Sequence, residues 1–177
     1  MLSDGKYARV ERERRFLLAE PPPASTTTAP RQITDRYLTG TRLRLRRVEH
    51  GNGASEFKLT QKVPAERPGP VQGLITNIYL SQPEYDRFAI LPAAVLSKTR
   101  VSVSPLSIDI FSPPLHGLVL AEAEFTTDHE ASCFRPPPDS VAEVTDDPRF
   151  TGGRLARTQR HELLTWLSEY GITPARS

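Results

Sequence analysis

Acids and bases recur at alternate positions along this chain, and the two kinds keep apart. Acids stand at Glu11 and Glu13 and again at Glu122 and Glu124. Bases stand at Arg42, Arg44 and Arg46, at Lys58 and Lys62, and at Lys98 and Arg100. In an extended strand residues i, i+2 and i+4 share a face, so each set lies on one side of its own strand. Glu11, Glu13 and Arg15 make one face, and Glu122, Glu124 and Thr126 another. An amphipathic sheet ordinarily turns its charged face to water. Solvated strands, however, mix signs or use Thr, Ser and Gln. Here one strand offers only acids and three offer only bases. Turned inward in a closed barrel, these faces set a basic lining beside a carboxylate cluster. An interior of that kind is costly when empty and suits a polyanion with a divalent cation. Carboxylates are hard oxygen ligands for Mg²⁺ and Mn²⁺, and Lys and Arg form charge-assisted hydrogen bonds with phosphate. Phosphoryl transfer asks chiefly for positioning, charge neutralisation and an oriented water.

The elements that must hold these residues are mainly strands. Period-two alternation marks 10–17, 42–48, 56–63, 74–80, 97–103, 107–111 and 118–126, with a short last strand at 142–145. About eight short strands point to a sandwich or barrel. Gly51-Asn52-Gly53 is a hairpin turn between two of them. The apolar faces, such as Leu43 with Leu45 and Phe57 with Leu59, would then point outward, where helices cover them. Ser81-Gln82-Pro83-Glu84 and Thr127-Asp128-His129-Glu130 are capping boxes that start helices running to about Leu91 and Phe134. The longest helix is expected from about Arg154 to Tyr170, with Leu155, Leu163, Trp166, Leu167 and Tyr170 on its apolar stripe and Gly171 as its stop.

The 177 residues suit one domain, 1–177, with 37% hydrophobic and 25% charged residues. With 23 Lys and Arg against 21 Asp and Glu, the chain lacks the large basic excess of a nucleic-acid binder. No apolar run is long enough to span a bilayer, and Met1 to Lys6 lack a signal peptide's apolar stretch. Cys133 is the single cysteine. It excludes an internal disulfide and a thiolate cluster, reads as a small buried hydrophobe, and fits a cytoplasmic location. His50, His116, His129 and His161 have no metal-ligand spacing. Arg9, Arg12 and Arg14 alternate with the proposed acids and read as a solvated outer face. No Walker-type phosphate loop is present, and these positions do not argue for a Ser-His-Asp arrangement.

Val10-Glu11-Arg12-Glu13-Arg14-Arg15 resembles the Glu-x-Glu-x-Lys opening of the CYTH family, the triphosphate tunnel metalloenzymes. The resemblance continues in order through most of the chain. Arg42-Leu43-Arg44-Leu45-Arg46 is similar to the family's Arg-x-Arg strand, Leu59-Thr60-Gln61-Lys62 to its Leu-Thr-x-Lys strand, and Lys98-Thr99-Arg100 to its Lys-x-Arg strand. Asp109 and then Glu122-Ala123-Glu124 resemble its later Asp and Glu-x-Glu strands, and Glu143-Val144-Thr145 its closing segment. The resemblance implies an α+β, mainly β fold: an eight-stranded antiparallel closed barrel, or tunnel, with helices packed outside. It implies Glu11, Glu13 and Glu124 as ligands of Mg²⁺ or Mn²⁺. Glu122 and Arg15 would be the catalytic residues: Glu122 would join the ligands or orient the attacking water, and Arg15 would take the opening lysine's place, keeping the charge but unable to exchange a proton near neutral pH. Arg44, Arg46, Lys62, Lys98 and Arg100 would cradle phosphates. Asp109, Glu143, Arg42 and Lys58 are further candidates, with Asp109 and Glu143 equally readable as partners of tunnel bases.

The chain departs from the family pattern in its middle. Leu74-Ile75-Thr76-Asn77-Ile78-Tyr79 stands where the family has Arg-x-Glu-x-Glu, and Thr151-Gly152-Gly153-Arg154 where it often has Asn and Ser. The function expected is metal-dependent hydrolysis of a triphosphate, inorganic tripolyphosphate first and an organic triphosphate second. The rivals are a class IV-type adenylyl cyclase, which needs a base pocket, and a non-catalytic polyphosphate- or nucleotide-binding domain, which the missing central acids would suit. The expected partner is a triphosphate-containing small molecule, without nucleic acid or membrane; a homodimer is compatible with the sequence.

Overall fold

The computed structural model describes residues 6–174, so most of the Met1 to Lys6 segment lies outside the described residues. The strands are β1 (Arg9–Leu18), β2 (Arg31–Leu38), β3 (Leu43–His50), β4 (Ser55–Pro64), β5 (Val71–Leu80), β6 (Ala93–Val103), β7 (Leu106–Phe111), β8 (Val119–Glu124) and β9 (Ser140–Glu143). The first eight close a ring in the order β1-β5-β4-β3-β2-β6-β7-β8 and back to β1, and every pair is antiparallel. β9 lies outside the ring and pairs with Phe16 to Leu18 of β1, an edge of β1 that β5 has already left. Closure depends on a bulge between Glu11 and Arg12, where the pairing skips a residue of β5. Gly73 sits there with φ of 140°, and a Cβ on it would lie 2.0 Å from the Val63 carbonyl oxygen, so only glycine fits.

The expected barrel is present, with one strand more than the alternation marked. β2 went unmarked because its faces are mixed. Ile33 and Asp35 are buried on one side, Leu38 on the other, and Gln32 is exposed, so no clean apolar alternation survives. The Gly51-Asn52-Gly53 turn joins β3 to β4 as expected, with Gly53 at φ 86°.

Two apolar faces point outward and are covered, as the alternation implied. Leu38, Leu45, Phe57 and Leu59 lie beneath Tyr85 and Phe88 of α1 (Gln82–Ala89), whose start is fixed by the Ser81–Glu84 capping box. Phe16, Leu18, Val101, Ile108, Val119 and Ala121 lie beneath Phe134, just past α2 (Asp128–Cys133). α2 buries Ala131 and leaves Cys133 exposed. The buried reading of Cys133 is therefore corrected: the helix turns its other face to the sheet.

The longest helix is also corrected. A short α3 (Gly152–Leu155) ends, and α4 (Arg160–Glu169) starts afresh. Gln159 breaks the run because its backbone N–H donates to Glu162 Oε2 at 2.8 Å, a cap that begins a new helix. Gly171, at φ 71°, ends α4 as expected. Nor does α4 cover an outer face. Its Leu163, Trp166 and Leu167 pack with Leu17, Leu96, Phe111 and Leu120, which by alternation share the inner face with Arg15, Lys98, Asp109 and Glu122. The inner surface thus changes from charged to apolar along four strands, and the C-terminal helices seal that apolar part. Each fully buried leucine here contributes roughly 1.5–3 kcal/mol. None of the described helices is long and apolar enough to cross a membrane.

Candidate active site

The charged part of the barrel interior surrounds a cavity of about 1170 Å³. Glu11, Glu13, Arg15, Arg42, Arg44, Arg46, Lys58, Lys62, Lys98, Arg100, Glu122 and Glu124 all line it. Two candidates are placed elsewhere. Asp109 is wholly buried behind the lining, between Lys98 and Arg100. Glu143 of β9 lies outside the barrel wall, bonded to Arg14 at 2.7 and 2.8 Å and to Thr145 Oγ1 at 2.7 Å.

The acids stand together because β1 and β8 pair with Glu13 opposite Glu124 and Arg15 opposite Glu122. Burial, then the charges of Glu122 and Glu11, push the Glu13 carboxyl up to about 8, against the opposing pull of Arg15 and Lys62. Each neighbouring acid leans on a base: Glu11 on Lys62, and Glu122 on Arg100 at 2.5 Å. Glu124 is exposed at the end of β8. Arg15 is 3.5 Å from Glu13 but gives its other donors to structure: Nη1 to Phe150 O, Nη2 to Thr145 O and to Gln72 Oε1, each at 2.9 Å.

The bases are held from behind by two wholly buried carboxylates. Asp109 accepts from Lys98 and, at 2.6 and 2.7 Å, from Arg100. Asp35 accepts from Arg46 at 2.6 and 2.7 Å in a two-pronged pair, with Arg44 Nε at 3.7 Å. Burial pushes both acids up, but the facing cations win. Lys98 and Arg100 hold Asp109 at about 2, and Arg46 with Arg44 and Lys98 holds Asp35 well below the carboxylate range. The same pairing raises Arg46 and Arg100, so both guanidiniums stay charged.

Sequence reasoning missed Asp35 together with its strand. It also missed Tyr37, whose hydroxyl is pushed up to about 12 by burial and by Asp35 beside it. A Cβ on Gly152 would stand 1.9 Å from the Tyr37 oxygen, so this glycine of the closing segment makes room for the ring. The period-two position of Asp35 and Tyr37 was a usable signal. The outward reading of Arg9, Arg12 and Arg14 holds in part. Arg14 reaches β9 through Glu143, and Arg12 reaches α2 through Asp128 at 2.6 Å although it also borders the cavity. Arg9 lines the cavity too: two residues from Glu11, it shares the acids' face. On β5 the cavity wall is Ile75 and Asn77, with Thr60 donating to Asn77 at 2.7 Å, so this wall carries no charge.

Among the described residues no three His, Cys, Asp or Glu side chains are gathered into a closed metal-holding group. The donors of β1 and β8 nonetheless fit a hard cation by chemistry. They are all carboxylates, and Glu13 is raised first by burial and then by the charges of Glu122 and Glu11 beside it.

A scan of protein-family models finds none that matches the chain. An inorganic triphosphatase of Nitrosomonas europaea is 31% identical over 159 residues, spanning 82% of this chain and 96% of that one. The crystal structure of the inorganic triphosphatase NE1496 is 25% identical with a TM-score of 0.55, over 84% of this chain and 95% of that one. Closed ring, facing acidic and basic walls and a full-length relative agree: the chain belongs to the CYTH family, the triphosphate tunnel metalloenzymes.

Proposed function

We propose that this protein hydrolyses a linear triphosphate inside its barrel, inorganic tripolyphosphate before any organic triphosphate, with Mg²⁺ or Mn²⁺ held by the acids of β1 and β8. One observation carries the reading: a carboxylate wall and a wall of pre-positioned bases face a single cavity. Glu11, Glu13 and Glu124 would hold the cation, with Glu122 beside them to orient the attacking water. A divalent cation there would polarise the terminal phosphoryl group and make bound water a better nucleophile.

The chain's own residues do the rest. Arg44, Arg46, Lys98 and Arg100 bind phosphate oxygens, and Asp35 and Asp109 hold them so that little reorganisation is needed as charge develops. Lys62 and Arg100 leave Glu11 and Glu122 for the phosphates, which frees those acids for the cation and the water. Arg42, exposed before β3, meets the substrate at the rim. Arg15 acts as a positioning residue, because its donors tie the closing segment to β1. The single exposed cysteine suits a reducing compartment such as the cytoplasm.

Phosphate release from tripolyphosphate, thiamine triphosphate and nucleoside triphosphates, with and without Mg²⁺ or Mn²⁺, tests this. Metal-dependent orthophosphate release is expected, fastest from tripolyphosphate, and Glu11→Gln or Glu124→Gln should abolish it. Pyrophosphate from ATP without orthophosphate would instead mean cyclisation. Tight binding without turnover would mean a binding domain.

A further inference from the structure

A second, smaller chamber of about 170 Å³ occupies the other end of the interior. The main cavity is lined by Tyr37, Leu43, Lys62 and Gln72, at one set of ends of β2 to β5. The small chamber is lined by Arg31, Val48, Glu56 and Tyr79, at the opposite ends of those strands. Arg46, Lys58 and Arg100 wall both, so the chambers meet across a belt of cations.

The charge of the small chamber is one-sided. Arg31, Arg46, Lys58 and Arg100 face it against one acid, Glu56. Glu56 is taken by His50, at 2.9 Å. Arg46 and Arg100 are satisfied by Asp35 and Asp109. Among the described residues Arg31 and Lys58 make no ion pair. Register explains the crowding: Arg31 lies opposite Arg100, and Lys58 lies between Arg46 and Tyr79. Like charges in direct opposition are destabilising. Burial and the charges of Arg46, Arg44 and Arg9 accordingly push Lys58 down to about 8. Lys58 stands 6.0 Å from the centre of the Tyr79 ring, and an anion between Arg31 and Lys58 offsets the repulsion and supplies the anionic partner that both lack. The chamber has room for a phosphate group.

We propose that this chamber is a phosphate-group subsite separate from the triphosphate position in the main cavity. The group has two possible sources: free orthophosphate, or the far units of a linear polyphosphate longer than three that passes between the chambers. The inference rests on the triphosphate reading of the main cavity.

The test is calorimetric titration of the full chain with orthophosphate, tripolyphosphate and long-chain polyphosphate, alongside hydrolysis of tripolyphosphate. The variants are Arg31→Gln, Arg31→Lys and, as a control on the outer face of β2, Arg36→Gln. Half-exposed and without an ion pair, Arg31 is replaceable without loss of the fold. Arg31→Gln should weaken orthophosphate or long-chain binding about tenfold, Arg31→Lys should restore most of it, and Arg36→Gln should change nothing. Tripolyphosphate binding and hydrolysis should stay as in wild type. Loss with orthophosphate identifies the free ion, and loss confined to long chains identifies the substrate's tail. Unchanged binding of every probe, or equal weakening of tripolyphosphate, overturns the proposal. A wild type that binds phosphate through Arg31 yet hydrolyses nothing refutes the hydrolase reading and leaves the subsite standing.

Discussion

The two charged walls of the cavity are built in opposite ways. Behind the bases stand two wholly buried acids, Asp35 and Asp109, that hold Arg46, Lys98 and Arg100 in fixed directions. Among the described residues the acids of β1 and β8 have no such backing. Burial, and then the charges of Glu122 and Glu11, push Glu13 up to about 8, and the bases these acids lean on belong to the facing wall or to structure. The basic wall is finished by the fold, whereas the proposed function leaves the acidic wall to be finished by a ligand. Buried ion pairs are weak evidence for net stability, but they are a sound way to fix where a charge points before substrate arrives.

The comparison makes removal of a backing acid the most damaging change. Asp35→Asn should destabilise the protein by about 3–5 kcal/mol, since it leaves Arg46 buried without its partner; urea denaturation reads this directly. Glu13→Gln should do the reverse, abolishing turnover while stability holds or rises, because it removes a carboxyl that burial already disfavours. If Glu13→Gln unfolded the protein and Asp35→Asn did not, the contrast between the walls would fail.

Gly152→Ala should cost about 1–3 kcal/mol by overpacking against Tyr37, and Tyr37→Phe in the same chain should recover part of that loss. A melting curve with neither effect would remove the Tyr37–Gly152 contact from the account. pH sharpens the contrast further. Glu13 has a folded value raised from 4.5 to about 8. The metal-free native state therefore keeps a proton that the unfolded chain has lost, and stability falls as pH rises through that window. Asp109 has a folded value lowered from 3.8 to about 2, so its contribution is present above 3.8 and is lost as pH falls toward 2. Denaturation across pH should show both slopes, and Glu13→Gln should remove the upper one alone. Smallest of all, Arg12→Ala breaks an exposed pair with Asp128 and should cost less than about 1 kcal/mol.

The barrel was legible because seven of its strands carry clean alternation, and the ordered charged faces named the cavity's lining. What stayed hidden has physical causes. β2 carries an acid in the middle of its buried face, so its strand signal is broken at Asp35, the residue that most organises the bases. Spacing alone could not separate Glu143 from the tunnel acids, because whether a strand lies in the ring or outside it is decided by pairing, and β9 pairs outside. The apolar stripe of the last helix showed that it packs, but not that it packs on the inner face beside Leu17 and Phe111. Gly152 looked like a departure until the ring of Tyr37 was seen against it.

The central claim is that the acidic wall is completed by a divalent cation. Calorimetric titration of the metal-free protein with Mn²⁺ near neutral pH, in buffers of different ionisation enthalpy, tests it most directly. Wild type should bind Mn²⁺ and release about one proton as Glu13 gives up its hydrogen, and Glu13→Gln should bind more weakly and release none. Equal Mn²⁺ affinity in both proteins, with no proton released by either, would contradict the account.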